Sequence, residues 1–298
     1  MYDMQKGAQP KAIDISNDAI TLEPKKSLHD ARKSLVTYNI SRIIVARENK
    51  PLGMVTEKDI ARYLYTQVPE RRLKEVALEE VMSKNLVTVN EKADLNLCAK
   101  LMIENKISSL IVTDDKGVLR GIITKSDLVE GYGKFYTQRE TVKEYMIEKV
   151  LTVRPDEPLH MVLLLMTRGN VSRIVVTRDK RPVGMVTGRD LLPVSTLFGP
   201  PLFGDETHDG DQAAIETGAT SPQRKEQMFI PSGIRTYFVA KDVMKFDPIT
   251  ISQDSDLADA TQIMAMNRIS GLPVVDSDGN LVGIITKTDI VKAIADGS

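Results

Sequence analysis

Apolar and polar positions follow the same order four times along this chain of 298 residues. A stretch with apolar residues at helical spacing precedes a β-branched run each time, in the segments NISRIIV, NKISSLIV, NVSRIVV and NRISGLPVV. Another short apolar strand and a second helical stretch follow each run. The pattern predicts a repeated α/β (α+β) unit with the order strand, helix, strand, strand, helix.

Two anchors mark each copy. The heptapeptide Gly-apolar-apolar-Thr-x-x-Asp reads GMVTEKD from Gly53, GIITKSD from Gly121, GMVTGRD from Gly184 and GIITKTD from Gly283. A threonine between apolar residues lies 35 or 36 residues before each motif threonine, at Thr21, Thr88, Thr152 and Thr250. Because both anchors recur at a fixed separation, the repeated element is the whole unit.

The copies alternate in kind. The odd ones share PLGMVTEKDI and PVGMVTGRDL, whereas the even ones share DDKGVLRGIITKSDLV and DSDGNLVGIITKTDIV. This alternation predicts a duplicated pair, with an aromatic linker from Tyr132 to Tyr136 between the pairs and a Gly-, Pro- and Asp-rich loop inserted in the second. The predicted boundaries are 10–136 for the first pair (repeats 10–66 and 78–133), 137–298 for the second (repeats 142–196 and 240–296) and about 197–239 for the insertion.

Composition narrows the class of protein. Lys and Arg total 40 against 41 Asp and Glu, so no overall field favours nucleic acid or an anionic membrane. Cys98 is the single cysteine, which excludes an internal disulfide and favours a reducing compartment. Without a run of 18 apolar residues or a signal-like N-terminus, we expect a cytoplasmic protein with no membrane segment.

The motif has two compatible interpretations. Thr-x-x-Asp is a capping box, with threonine as the N-cap and the acid at the third helical position. The same carboxylate, hydroxyl and free backbone N–H groups suit ribose hydroxyls and phosphate oxygens at a helix start. The four pairs are Thr56 with Asp59, Thr124 with Asp127, Thr187 with Asp190, and Thr286 with Asp289.

The layout and motifs resemble cystathionine-β-synthase (CBS) repeats, and the four copies are similar to the γ subunit of AMP-activated protein kinase and to stand-alone prokaryotic CBS-pair proteins. The resemblance covers nearly everything outside the insertion and the termini. It implies two CBS-pair modules, arranged as a flat pseudo-symmetric disc. It also implies adenosyl ligands in clefts between repeats: AMP, ADP, ATP or S-adenosylmethionine.

The same resemblance places candidate residues for the ligand. An apolar-Ser step should border adenine, at Ile40–Ser41, Ile107–Ser108, Val171–Ser172 and Ile269–Ser270. A hydroxyl is expected just before each first strand, where the copies have Ser16, Ser83, Ile147 and Lys245. The remaining candidates are the strand threonines named above and the hydroxyls Ser126 and Thr288, which precede the acids of the even copies.

Arg42 and Arg173 follow the serine in the odd copies. Each guanidinium either reaches a phosphate held by the neighbouring repeat or forms a surface ion pair. The second repeat keeps every expected group and ranks first among the four sites, and the fourth repeat ranks next. Its groups are Ser83, Ser108, Thr124, Ser126 and Asp127.

These features predict a non-enzymatic sensor whose ligand rearranges the repeats, with no metal site and no tightly bound cofactor. The expected partners are the adenosyl ligand and a regulated protein or a homodimer partner. The alternative is an interaction scaffold with vestigial clefts, whose contacts use the insertion. A catalytic function would need the cleft acids and hydroxyls alone, since no His or Cys lies near a motif.

Overall fold

The computed structural model describes residues 10–66, 71–135, 140–195 and 238–297. Each repeat begins with a one-turn helix that the sequence pattern did not predict, and the predicted strand–helix–strand–strand–helix unit follows. The helices are α1 (Ala12–Ile15), α2 (Leu28–Thr37), α3 (Glu57–Thr66), α4 (Leu78–Val81), α5 (Leu95–Glu104), α6 (Lys125–Phe135), α7 (Val142–Tyr145), α8 (Leu159–Gly169), α9 (Gly188–Ser195), α10 (Ala240–Val243), α11 (Leu257–Met266) and α12 (Lys287–Asp296), and a 3₁₀ turn covers Leu73–Glu75.

The strands form one small sheet in each repeat. The first strand pairs in parallel with the second, which pairs antiparallel with the third, and β10 extends the sheet of the third repeat. The strands are β1 (Thr21–Leu22), β2 (Arg42–Arg47), β3 (Lys50–Thr56), β4 (Thr88–Asn90), β5 (Ser109–Thr113), β6 (Leu119–Thr124), β7 (Thr152–Val153), β8 (Arg173–Arg178), β9 (Arg181–Thr187), β10 (Lys245–Phe246), β11 (Ile251–Ser252), β12 (Gly271–Val275) and β13 (Leu281–Thr286).

The hairpin turns explain why the first repeat resembles the third in sequence and the second resembles the fourth. In the first repeat Glu48 and Asn49 both have positive φ, at 51° and 59°, which is the backbone of a two-residue turn between twisted strands. The second repeat instead has Gly117 at φ 75°, after Asp114, whose carboxylate accepts bonds from two backbone N–H groups of the turn. Different turn chemistry therefore separates the two sequence types.

The helix between the first two strands has a polar N-cap residue in the first and fourth repeats. Ser27 accepts from the backbone N–H of Asp30, and Asp256 accepts from that of Ala258. In the third repeat α8 begins at Leu159, so Pro158 is the N-cap residue rather than the first helical residue that its ring favours.

The central strand of the first repeat is buried on both faces. Ile43 and Val45 pack with Leu28 and other residues of α2 in the core of that repeat. Ile44 points to the opposite face and meets Ile111 of β5, which joins the first two repeats in one apolar cluster. Because successive side chains point to opposite faces of the strand, this continuous β-branched run contributes residues to two apolar clusters.

Cys98 lies on α5 and is fully buried. Burial, with the nearby carboxylate of Asp94, raises the pKa of its thiol to about 12. The thiol is therefore protonated at neutral pH and acts as a small apolar side chain.

The described residues divide into two compact units. One contains the first two repeats as far as Leu128, apart from Ile103–Ile107, and the other contains those five residues and the chain from Val129 onward. The division falls inside α6. The predicted grouping of repeats into pairs and the predicted disc stay predictions.

The segment predicted as an aromatic linker is largely helical. Residues 132–135 form the last turn of α6, and Tyr136 lies outside the described residues. The side chain of Tyr132 is fully buried, and its hydroxyl donates to Glu140, which also accepts from Tyr145. Gly133 lies against the hydroxyl of Thr261, with no room for a side chain. Tyr132 therefore packs as a core residue, whereas Lys134 of the same turn is exposed.

The insertion predicted at 197–239 falls outside the described residues, except for Phe238 and Val239. The carbonyl oxygen of Phe238 accepts from the backbone N–H of Leu159, and Val239 pairs with Pro158. Over the described parts of the chain, no helix has the length and apolar character needed to cross a bilayer.

Candidate functional site

The Thr-x-x-Asp motifs occupy the same place in all four repeats, at the junction of the last strand and the last helix. The threonine is the final residue of the strand, and the acid lies in the first helical turn. In the second repeat both the backbone N–H and the hydroxyl of Thr124 donate to Asp127 Oδ2, each at 2.7 Å. The corresponding N–H and hydroxyl distances are 2.8 and 2.6 Å for Asp59, 2.8 and 2.5 Å for Asp190, and 3.0 and 2.7 Å for Asp289.

In every repeat the acid thus accepts from the backbone N–H of the predicted N-cap threonine, and the complete capping box is present in the first and fourth repeats. This bond uses one carboxylate oxygen of each acid, Oδ2, and orients Oδ1 away from the cap. Because a carboxylate has two acceptor oxygens, capping and ligand binding use different atoms.

The segment before each first strand pairs with the other repeat of its unit. Asn17 exchanges two backbone hydrogen bonds with Ile122, which lies two residues before Thr124. Ser83 does the same with Met54, two residues before Thr56. In the second unit Ile147 pairs with Ile284, and Lys245 pairs with Met185.

Because each segment pairs with the other repeat, the predicted site residues are grouped differently from their order in the sequence. The sequence groups Ser83 with Thr124 and Asp127 of its own repeat, but the structure pairs Ser83 with the strand that leads to Thr56. Ser16 lies instead at the strand that leads to Thr124, with its hydroxyl beside Gly121. Sequence order could not give this grouping, because the segment crosses to the neighbouring sheet.

Close approach of the two segments requires glycine in the motif strand. A Cβ on Gly121 would lie 2.8 Å from the carbonyl oxygen of Asn17 and 3.0 Å from Ser16 Oγ. At Gly283 the nearest atom is Met146 Sδ, at 2.6 Å. The glycine that opens the motif therefore serves inter-repeat packing rather than backbone conformation.

We expect Gly121→Ala to lower the free energy of unfolding by about 1–3 kcal/mol, because the new methyl group overlaps a backbone oxygen. Urea denaturation measures the change. Adding Ser16→Ala should not restore stability, since the closer contact is with Asn17 backbone. An unchanged denaturation midpoint for Gly121→Ala would contradict this account of the glycine.

The Oδ1 atoms of the four acids have different neighbours. Asp127 Oδ1 accepts from Asn17 Nδ2 at 2.8 Å, across the pair of repeats. Asp289 is 1% exposed, and its Oδ1 accepts from Lys292 on its own helix at 3.0 Å. Asp59 and Asp190 have cations farther away, at 3.8 Å: Arg62 on the same helix and Lys245 from the other repeat. Helical spacing in the sequence could have identified Lys292, three residues after Asp289, whereas Asn17 can be identified only once the pairing of its segment with the other repeat is known.

The two arginines of the odd copies reach the apolar-Ser step of the even copies. Arg42 Nη2 donates to Ser108 Oγ at 3.2 Å, and Arg173 donates to the carbonyl oxygen of Ser270 at 2.6 Å and to its Oγ at 3.0 Å. Burial lowers the pKa of Arg42, an effect opposed by attraction to Asp127 and Glu57. Both guanidinium groups thus contact the neighbouring repeat. These bonds go to neutral serine oxygens and are not ion pairs.

The serines of the step are linked to the motif through backbone bonds. The carbonyl oxygen of Ser108 accepts from the N–H of Lys125, directly after Thr124, at 3.1 Å. The bonds from Glu57 to Ser41, from Gly188 to Ser172 and from Lys287 to Ser270 are equivalent, at 3.0–3.2 Å. The step and the motif therefore form one continuous edge in each repeat.

Most of the other candidate residues lie along the same edge. The apolar residue of the step is buried at Ile107 and half-buried at Ile40, Val171 and Ile269, while Ser126 is exposed and Thr288 half-buried on the first helical turn. The first-strand threonines pair with the central strand, except that Thr250 lies one residue before β11. Thr21, Thr88 and Thr152 have exposed side chains.

Metal ligands do not gather at these sites. Over residues 10–66, 71–135, 140–195 and 238–297, no group of three or more His, Cys, Asp or Glu side chains has the arrangement to hold a metal ion. The acids of the motifs are spread over four helix starts, and each is already oriented by a threonine.

One family model matches four stretches of this chain. The CBS-domain family model matches residues 11–66, 78–134, 142–195 and 240–296. The uncharacterised protein MJ1225 of Methanocaldococcus jannaschii is 25% identical over 308 aligned positions, which cover 98% of this chain and 99% of that protein.

Two solved structures cover 96% of this chain and the whole of their own. The crystal structure of MJ1225, which is proposed as an archaeal homologue of γ-AMPK, has a TM-score of 0.64 at 24% identity. A conserved protein from Pyrococcus horikoshii has a TM-score of 0.65 at 19% identity. With four matched repeats, the strand order of each repeat and the motif at each helix start, this chain belongs to the CBS-domain family.

Proposed function

We propose that this chain is a non-enzymatic regulatory protein that binds an adenosine nucleotide or an S-adenosylmethionine-like ligand in clefts between its repeats. The observation that carries the proposal is the arrangement around Asp127. A capped carboxylate with a second oxygen directed across the pair lies within the electrostatic reach of a half-buried arginine from the other repeat.

A carboxylate in this position suits a ribose. Asp127 Oδ2 is held by Thr124, so the carboxylate is already oriented before a ligand arrives. Its Oδ1 accepts from an amide N–H of Asn17, which shows that a donor from across the pair fits at hydrogen-bond distance. A ribose hydroxyl in that place would make a charge-assisted bond of the same kind.

The charges beside the carboxylate suit a phosphate. The guanidinium of Arg42 is partly withdrawn from water and donates to the neutral oxygens of Ser41 and Ser108. A cation partly withdrawn from water is stabilised by an anion, and the start of α6 adds backbone N–H groups and Lys125. A phosphate near Arg42 and the start of α6 would accept hydrogen bonds from the guanidinium and from the backbone N–H groups of the helix.

The apolar-Ser step suits a flat base. Ile107 is 7% exposed and precedes Ser108, whose backbone runs along the motif edge. An apolar wall beside a backbone edge recognises adenine without a charged group. Together these groups describe an adenosine nucleotide that contacts both repeats of one unit.

Regulation follows from the two-repeat contact. A ligand that touches residues of both repeats stabilises the arrangement in which those residues face each other, by the difference in its affinity for the two arrangements. A regulated protein or a second copy that recognises this arrangement would respond to the ligand concentration.

Ligand binding should raise thermal stability. A ligand at a hundredfold excess over its dissociation constant adds about 2.7 kcal/mol, which is several degrees in melting temperature for a chain of this size. Differential scanning fluorimetry with AMP, ADP, ATP and S-adenosylmethionine measures the shift, and GMP is the control, with a smaller shift expected. No shift with any of the four would contradict the proposal and favour the scaffold alternative.

A further inference from the structure

Asn17 Nδ2 donates to Asp127 Oδ1 from the opposite repeat at 2.8 Å, whereas Lys245 Nζ, also from an opposite repeat, lies 3.8 Å from Asp190 Oδ1. At the equivalent position of the other three segments, which pair with the motif strands in the same register, stand Ser83, Ile147 and Lys245. The cleft of the second repeat therefore differs from the others at the oxygen that the proposed ribose contact needs.

The backbone of Asn17 is fixed independently of its side chain. Its N–H donates to the carbonyl oxygen of Ile122 at 3.0 Å, and its carbonyl oxygen accepts from the N–H of Ile122 at 2.9 Å. The side chain is exposed, so it can leave Asp127 and be solvated while the strand pairing stays intact. Removing the amide should therefore not unfold the segment.

The bond from Asn17 and a bond from a ribose hydroxyl compete for one atom. Asp127 Oδ2 already accepts two bonds from Thr124, which leaves Oδ1 as the oxygen that faces the cleft. A ligand with a free 2′,3′-diol has to displace the amide from Oδ1 or share the oxygen with it. A ligand without the diol has no such requirement.

Resting on the proposed function, we propose that Asn17 is a specificity-determining residue that lowers the affinity of the second-repeat cleft for ligands with a free ribose diol. Because the competing group is a neutral amide, the competition does not depend on ionic strength as it would with a lysine. The cleft is thereby set to respond at higher ligand concentration than the bare carboxylate would.

Isothermal titration of the full chain with AMP tests this proposal. Asn17→Ala should bind AMP about threefold to tenfold more tightly than the unsubstituted protein, since the lost bond is charge-assisted but solvent-exposed. The same substitution should have no effect on 2′,3′-dideoxy-AMP. Lys84→Ala, at an exposed position of the segment that precedes β4, is the control and should leave AMP affinity unchanged.

A double-mutant cycle shows whether the effect passes through the acid. In a chain that carries Asp127→Ala, Asn17→Ala should no longer change AMP affinity. AMP binding that is unchanged or weaker in Asn17→Ala overturns this inference alone. Absence of AMP binding by both the unsubstituted and the Asn17→Ala protein overturns the proposed function, and this inference with it.

Discussion

Replacement of Tyr132 by alanine is expected to lower the free energy of unfolding by about 3–5 kcal/mol, the usual loss for a large buried aromatic side chain. Tyr132 is fully buried in the last turn of α6, and its hydroxyl donates to Glu140 Oε2 at 3.3 Å. Alanine would leave a cavity and remove one of the two tyrosine donors to that carboxylate. Urea denaturation followed by circular dichroism measures the loss.

The matched control is Tyr132→Phe, which keeps the ring and removes only the hydroxyl. It should lower stability by about 1 kcal/mol, the typical net value of one hydrogen bond. Burial and the nearby Glu140 raise the pKa of Tyr132, so its hydroxyl remains a donor through the neutral range. A loss for Tyr132→Ala no larger than that for Tyr132→Phe would contradict core packing of this residue.

The repeat and its order of elements could be predicted from the sequence because they depend on local periodicity. The β-branched run containing Ile43 to Val45 and the cap at Ser27 identify a strand and a helix without reference to the rest of the chain. The short helices α1, α4, α7 and α10 could not be found this way. Each has one turn and is held by the neighbouring repeat, as where Ala12 N–H donates to the carbonyl oxygen of Ala93.

The sequence predicts the motif residues of the candidate site, but not their partners from the neighbouring repeat. The motif acids and their threonines are neighbours in sequence, so the capping box was visible. The partners from across the pair, Ser16 and Asn17 for Asp127 and Ser83 for the first repeat, depend on which sheet the preceding segment joins. That choice is made by tertiary packing against the motif glycines, which no local pattern encodes.

Arg42 illustrates the same limit. Its position after the serine predicted either a contact with a phosphate held by the neighbouring repeat or a surface ion pair. The structure shows a bond from the guanidinium to Ser108 Oγ of that repeat. The burial of the guanidinium could not be predicted, because it depends on how two sheets face each other. The predicted contact with a phosphate stays a proposal.

Asp127→Ala should weaken AMP binding about tenfold to a hundredfold, because it removes a charge-assisted ribose contact worth about 1.5–3 kcal/mol. The substitution also removes a capping carboxylate, which costs about 0.5–2 kcal/mol of stability by itself. Binding and stability must therefore be measured separately, by isothermal titration and by urea denaturation. Asp289→Ala is expected to act in the same direction.

Asp30→Ala separates the two effects. Asp30 accepts the same two bonds from Ser27 at the start of α2, at 3.0 and 2.8 Å, and lies outside every motif. We expect Asp30→Ala to lower stability as Asp127→Ala does but to leave AMP affinity unchanged. If a chain with both Asp127→Ala and Asp289→Ala binds AMP as tightly as the Asp30→Ala control, the motif acids are caps alone, and the ribose must be held by other groups.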